Sequence, residues 1–122
     1  MVLRAHPGKL RVHEIASAVA SGVIRQVRTF PPPERFTLGE QLIRAGVSVP
    51  ANIAEACGRG TIPEFRRFLL YARGSAQELL SLLQVAGRSE LGHRGAMRSL
   101  ENKTALVLKM LVRLYDSPPP DR

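Results

Sequence analysis

Five polar residues, Gln41, Arg44, Ser48, Asn52 and Glu55, recur along the chain at steps of three, four, four and three. On a helix of ~3.6 residues per turn that spacing places all five on one narrow stripe. Leu42, Ala45, Val49, Ile53 and Ala56 repeat the same steps one residue later, so an apolar stripe runs beside the polar one, roughly 100° around the helix. A face made only for solubility is usually rich in Glu and Lys. This one is Gln, Ser and Asn with one charge of each sign, which predicts a half-buried polar seam meeting another helix or another subunit. The plainer alternative is a solvent face that happens to carry small polar residues. Pro50 lies inside the pattern, removes one backbone donor and crowds the carbonyl of Gly46. Either the helix restarts with Ser48 as its cap, or it continues with a kink. Both stripes keep phase across Pro50, which favours one kinked helix.

Thr61, Pro63 and Glu64 form a helix start, and Phe65, Phe68, Leu69, Ala72, Ala76, Leu79, Leu80, Leu83 and Ala86 then give a continuous apolar face. Gly74 inside that helix costs ~1 kcal/mol relative to alanine. Its neighbours Ser75 and Ala76 are also small, so close approach of another backbone is the expected compensation. Arg73 and Glu78 flank this patch and are placed to pair with Glu55 and Arg44 across the helices. Gly74, Ser75 and Glu78 therefore join the five-residue stripe as candidate seam or oligomer contacts.

The remaining chain reads as two more helices. Val12, Ile15, Ala16, Val19, Ala20, Val23, Ile24 and Val27 form a broad apolar face that must stop before Pro31-Pro32-Pro33. Met97, Leu100, Thr104, Val107, Leu108, Leu111, Leu114 and Tyr115 point inward from the last helix, which Ser117 and three prolines terminate. Helices are expected at about 11–29, 34–57, 63–87 and 95–116, with Gly58 capping the second. Residues 1–9 read as a flexible leader and 117–122 as a Pro-rich tail. Short connections, no internal repeat and no strand-like alternation predict an all-α, up-down antiparallel four-helix bundle.

The 122 residues suffice for one domain with a true core, and the hydrophobes are mainly Leu, Val and Ala. Cys57 is the single cysteine, so no internal disulfide forms and a reducing cytoplasm is the expected compartment. No secretory signal is expected, and the charge-free run 15–24 is too short for a membrane span of ~20 residues. Net charge is +8, and 15 of the 18 basic residues are arginine. Residues 1–28 carry +4, and 58–73 and 93–116 carry +3 each, whereas 34–57 and 74–92 each sum to −1. Guanidinium forks match phosphate, so the basic segments predict nucleic-acid contact; a codon bias toward arginine is the plainer explanation.

Catalytic and metal signatures are weak. His13-Glu14-Ile15-Ala16-Ser17 begins like a zinc-protease motif, but Ser17 stands where the second histidine is required. Gly58-Arg59-Gly60 follows no strand, and Ser75 after Gly74 sits on a helix rather than a nucleophile elbow. No enzyme, metal or cofactor is expected.

Three strings carry a resemblance: Ser48-Val49-Pro50-Ala51-Asn52-Ile53-Ala54-Glu55, Glu64-Phe65-Arg66-Arg67-Phe68-Leu69 and Ala72-Arg73-Gly74-Ser75-Ala76-Gln77-Glu78-Leu79. In this order, with Gln41-Leu42-Ile43-Arg44-Ala45 before them, the chain resembles the bacterial 23S rRNA intervening-sequence proteins, also labelled S23 ribosomal proteins, over residues 9–116. The family usually places glycine directly after Ile-Ala-Glu, whereas here it is shifted to Gly58, which moves the expected helix end. The resemblance implies a four-helix bundle, a ring-like homopentamer and RNA binding. It also implies likeness to the accessory protein of diversity-generating retroelements, which works with a reverse transcriptase. The expected function is thus a non-enzymatic, oligomeric RNA-binding protein, and the alternative is a protein-interaction scaffold or accessory subunit. Arg59, Arg66, Arg67 and Arg73 are the first candidates for phosphate contact, with Arg25, Arg28, Arg98 and Lys109 behind them. Few aromatics are available, so recognition led by the backbone, without base stacking, is expected.

Overall fold

The computed structural model describes residues 10–119, so the leader and the last three tail residues lie outside the described part. Five helices and no strands are present among the described residues: α1 Arg11–Val27, α2 Pro32–Arg35, α3 Leu38–Gly58, α4 Ile62–Arg88 and α5 Arg94–Asp116. None of them is long and apolar enough to cross a membrane. The helix expected from about 34 begins differently. Pro32 and Pro33 lack amide donors and have the fixed φ that suits a first helical turn, so Pro32–Arg35 winds one turn of its own. Thr37 then leaves helical geometry (φ −116°, ψ −90°) and its hydroxyl donates to the Pro33 carbonyl at 2.9 Å. Phe30, just before the prolines, is only 1% exposed and plugs the core beneath this corner, a position the helical periodicity does not reach.

α3 runs unbroken through Pro50, which removes the reading in which Ser48 restarts a helix. Gly58 is the last helical residue and not a left-handed cap; the chain leaves through Arg59 in extended conformation, its N–H bonded to the Ala56 carbonyl at 3.2 Å. Two residues later Thr61 Oγ1 accepts the Glu64 amide at 3.4 Å and starts α4 as the sequence indicates.

The four long helices touch in a cycle: α1 packs on α3, α3 on α4, α4 on α5, and α5 on α1. Their buried side chains form two layers. One joins Val12 and Ala16 at the start of α1 to Ile53 and Ala56 late in α3, Phe65 and Leu69 early in α4, and Val107 and Leu111 late in α5. The other joins Val23 and Val27, Leu42 and Ala45, Leu79 and Leu83, and Met97 and Leu100. Each large side chain so buried contributes ~1.5–3 kcal/mol. Side chains seat directly on the backbone at two glycines: a Cβ at Gly39 would lie 2.6 Å from Val27 Cγ1, and one at Gly22 2.7 Å from Leu100 Cδ2.

The end of α4 carries a Schellman motif closed by the wrong residue. Leu91 N–H reaches the Ala86 carbonyl at 3.0 Å and Glu90 N–H the Gly87 carbonyl at 3.1 Å, with Glu90 left-handed at φ 59°. A side chain there costs roughly 1–2 kcal/mol that glycine avoids. Glu90→Gly should therefore raise unfolding free energy by about 1 kcal/mol, after the extra backbone entropy of glycine is offset. An unchanged or lower midpoint in urea denaturation would contradict the motif.

Candidate nucleic-acid interface

Of the five-residue stripe only Ser48 and Asn52 are half-buried, against α4 of the same chain; Gln41, Arg44 and Glu55 are exposed. Ser48 Oγ and Ser75 Oγ lie 2.8 Å apart, and Asn52 Nδ2 donates to the Ser48 carbonyl at 2.9 Å and to its hydroxyl at 3.0 Å. Arg44 pairs with Glu78 at 2.7 Å, and that hydrogen bond holds the guanidinium pKa above its ordinary value. Glu55 does not pair with Arg73; it takes Arg59, one turn on, at 2.6 Å. Gly74 corrects the expectation of close packing: a Cβ there would meet nothing within 4 Å. The small-residue approach lies instead at Gly46, whose Cβ would touch Ala20 Cα, Val23 Cβ and Leu79 Cδ1, each at 3.8 Å.

The candidate cations fall into two groups set by the two core layers. Arg59, Arg66 and Arg67 gather where α3 ends and α4 begins, and all three are engaged within the chain. Arg66 Nε donates to the Tyr115 carbonyl at 2.8 Å while its guanidinium lies 5.3 Å from that ring. Arg67 pairs with Glu64 at 3.0 Å. Two guanidiniums lie over the Phe68 ring, Arg59 at 4.5 Å and Arg67 at 5.1 Å. Arg73 and Lys109 are exposed, with no carboxylate within 4.0 Å among the described residues. The same holds for Arg25, Arg28 and Arg98 in the other layer. Arg66 and Arg88 are ~33 Å apart along α4 at ~1.5 Å per residue.

The second group opens on a cleft of about 890 Å³ between the end of α4 and the start of α5, lined by Arg88, Arg94 and Arg98 with Glu90 and Glu101. Arg88 and Arg94 are not among the cations the sequence singles out. Arg88 sits in a segment whose charges sum to −1, so summing by segment conceals it; the four-residue step from Arg94 to Arg98 is the signal that could have found Arg94.

Aromatic rings also stand among the arginines. Phe68 and Tyr71 meet edge to face at 5.3 Å, and Tyr71 is 49% exposed. Burial pushes the Cys57 thiol up to about 11, so it is not a thiolate at neutral pH. No group of three or more His, Cys, Asp or Glu is placed to hold a metal ion among the described residues.

Comparison with known proteins agrees with this architecture. A family model described as 23S rRNA-intervening sequence protein matches residues 8–113. A crystal structure from Bacteroides thetaiotaomicron, described as a protein with unknown function from the S23 ribosomal protein family, superposes with a TM-score of 0.79 at 23% identity. The match covers 87% of this chain and 99% of that one. No curated protein matches.

Two substitutions test the seam. Gly74→Ala should raise unfolding free energy by about 1 kcal/mol, because a helix-interior alanine is added into open space. Loss of stability would mean that another backbone covers this face. Ser48→Ala should cost about 1 kcal/mol by leaving the half-buried Ser75 hydroxyl without its partner, while Asn52 keeps its bond to the residue 48 carbonyl; urea midpoints measure both.

Proposed function

The chain belongs to the 23S rRNA-intervening sequence protein family, and on that premise we propose a non-enzymatic, oligomeric protein that binds structured RNA through phosphate contacts in the cytoplasm. The observation that carries this reading is the surplus of free guanidinium. Against 18 basic residues there are 10 acidic ones, and only Arg44, Arg59 and Arg67 form ion pairs among the described residues. Arg25, Arg28, Arg73, Arg98 and Lys109 thus project into solvent, a surface that releases counterions when phosphate replaces them. The layer order, with the start of α1 beside the ends of α3 and α5 and the start of α4, supports an up-down antiparallel bundle.

Assembly as a ring-like homopentamer is part of the proposal, though the seam no longer argues for it. What favours self-association is a groove of about 270 Å³ between α4 and α5, floored by Leu69 and Leu111, walled by exposed Leu70 and Val112 and flanked by Arg73 and Asp116. The same groove favours the second reading, an accessory subunit docking a protein partner such as a reverse transcriptase.

The test is binding to an RNA hairpin across a salt series, with oligomeric mass followed in parallel. The log–log slope should be steep, and Arg28→Glu with Arg98→Glu, or Arg73→Glu with Lys109→Glu, should flatten it by ~0.7–0.9 for each phosphate that the variant leaves unneutralised. The pair that flattens it marks the contacting end. No binding at low salt by an intact oligomer would overturn the RNA reading.

A further inference from the structure

Phosphate contacts leave Tyr71 unused. The fold does not require its ring: Phe30 and Phe65 are the fully buried aromatics, whereas Tyr71 is 49% exposed. Yet the ring is held in place. It meets Phe68 edge to face at 5.3 Å and 89°, and Phe68 itself lies under Arg59 and Arg67 at 4.5 and 5.1 Å. Arg67 also stands 5.9 Å from the Tyr71 centroid, steadied by Glu64 at 3.0 Å.

Residues 68, 71, 75 and 78 follow one another at steps of three, four and three, so they share the edge of α4 nearest α3. Three of them touch α3 or the residue following it: Phe68 through Arg59, Ser75 through Ser48, Glu78 through Arg44. Tyr71 stands between these contacts on the outer rim. One turn beyond it Gly74 presents bare backbone, where even a Cβ would meet nothing within 4 Å. A half-exposed ring next to open backbone, with the Arg67 guanidinium 5.9 Å from its centroid, has the makings of a single-strand binding surface: a π-face for a base and a cation for the phosphate beside it. Duplex RNA keeps its bases stacked internally and offers that ring nothing.

We propose that Tyr71 is a stacking platform for an unpaired nucleobase, so that this end of the bundle takes a single-stranded stretch of RNA. Arg59 and Arg67 put guanidinium charge beside the rings, which complements a polyanion and not an uncharged peptide. The inference rests on the RNA-binding reading, and the experiment separates the two.

The chain has no tryptophan and two tyrosines, Tyr71 and Tyr115, so Tyr115→Phe leaves Tyr71 as the sole tyrosine emitter while keeping a ring beside Arg66. This variant is titrated with an oligouridylate of about ten nucleotides, within the span of one single-strand site, and separately with a duplex RNA of the same length. The single strand should quench Tyr71 emission and the duplex should not. Tyr71→Ala should weaken single-strand binding by roughly fivefold to a hundredfold, the range of one base–aromatic stack, whereas Tyr71→Phe should bind like the parent. Unquenched emission on single-strand binding, or an alanine variant as tight as the parent, overturns the stacking role and leaves salt-dependent RNA binding standing. Absence of binding to either RNA removes both. Tyr71→Ala changing the oligomeric mass with affinity intact would make the rim a subunit contact, and the inference would fall.

Discussion

The Ser48–Ser75 contact, 2.8 Å across the α3–α4 boundary, fixes the register on which the outer surface of this bundle depends. Most of the stabilisation comes from elsewhere, from the apolar stripe Leu42, Ala45, Val49, Ile53 and Ala56 and its partners on α4, all buried. Apolar burial is non-directional, however, and fixes alignment less strictly than a hydrogen bond with a definite length. Asn52, bonded to both the hydroxyl and the carbonyl of Ser48, holds that side of the seam in place. With the register set, Arg44 meets Glu78 at one side and Arg59 reaches Phe68 at the other. The Arg44–Glu78 pair is solvent-exposed and screened, so it follows from the alignment more than it causes it.

This division of labour explains what is legible in the chain. Helical phase is an intrachain property, so the buried faces of α1, α3, α4 and α5 follow directly from spacing, Pro50 included. Features set by what lies opposite are different. Gly74 and Gly39 look alike in sequence, yet Gly74 faces open space and Gly39 faces Val27 at 2.6 Å. Glu55 pairs with Arg59 one turn on at the end of its own helix, not with Arg73 across the helices, because Arg73 lies on the α5 side of α4. The left-handed Glu90 gives no sign at all, because glycine is the residue that ordinarily marks such a turn. The basic character was legible; which cations remain free was not.

That last distinction bears most on function. Arg59, Arg66 and Arg67 are the densest arginine cluster in the chain, and each is committed to a carboxylate, a carbonyl or a ring of its own fold. A guanidinium so held can still accept a phosphate, but only by giving up or sharing a partner, so it contributes less than an unpaired one. The free groups lie farther out: Arg73 and Lys109 on one side, Arg25, Arg28 and Arg98 with the Arg88–Arg94 cleft on the other.

Two basic ends separated by the length of the bundle constrain what a polyanion can do. At ~33 Å along α4, from Arg66 to Arg88, the ends cannot grip one phosphate cluster together. A single short ligand must choose between them, and they differ in kind. The α4–α5 cleft mixes three arginines with two carboxylates and has no aromatic lining, so it suits charge alone. The opposite end combines arginines with Phe68, Tyr71 and Tyr115, so it can meet a flat, unpaired base as well as a phosphate. On the RNA-binding proposal, an RNA that carries both paired and unpaired segments would engage both ends at once, which a uniform duplex or a bare single strand would not.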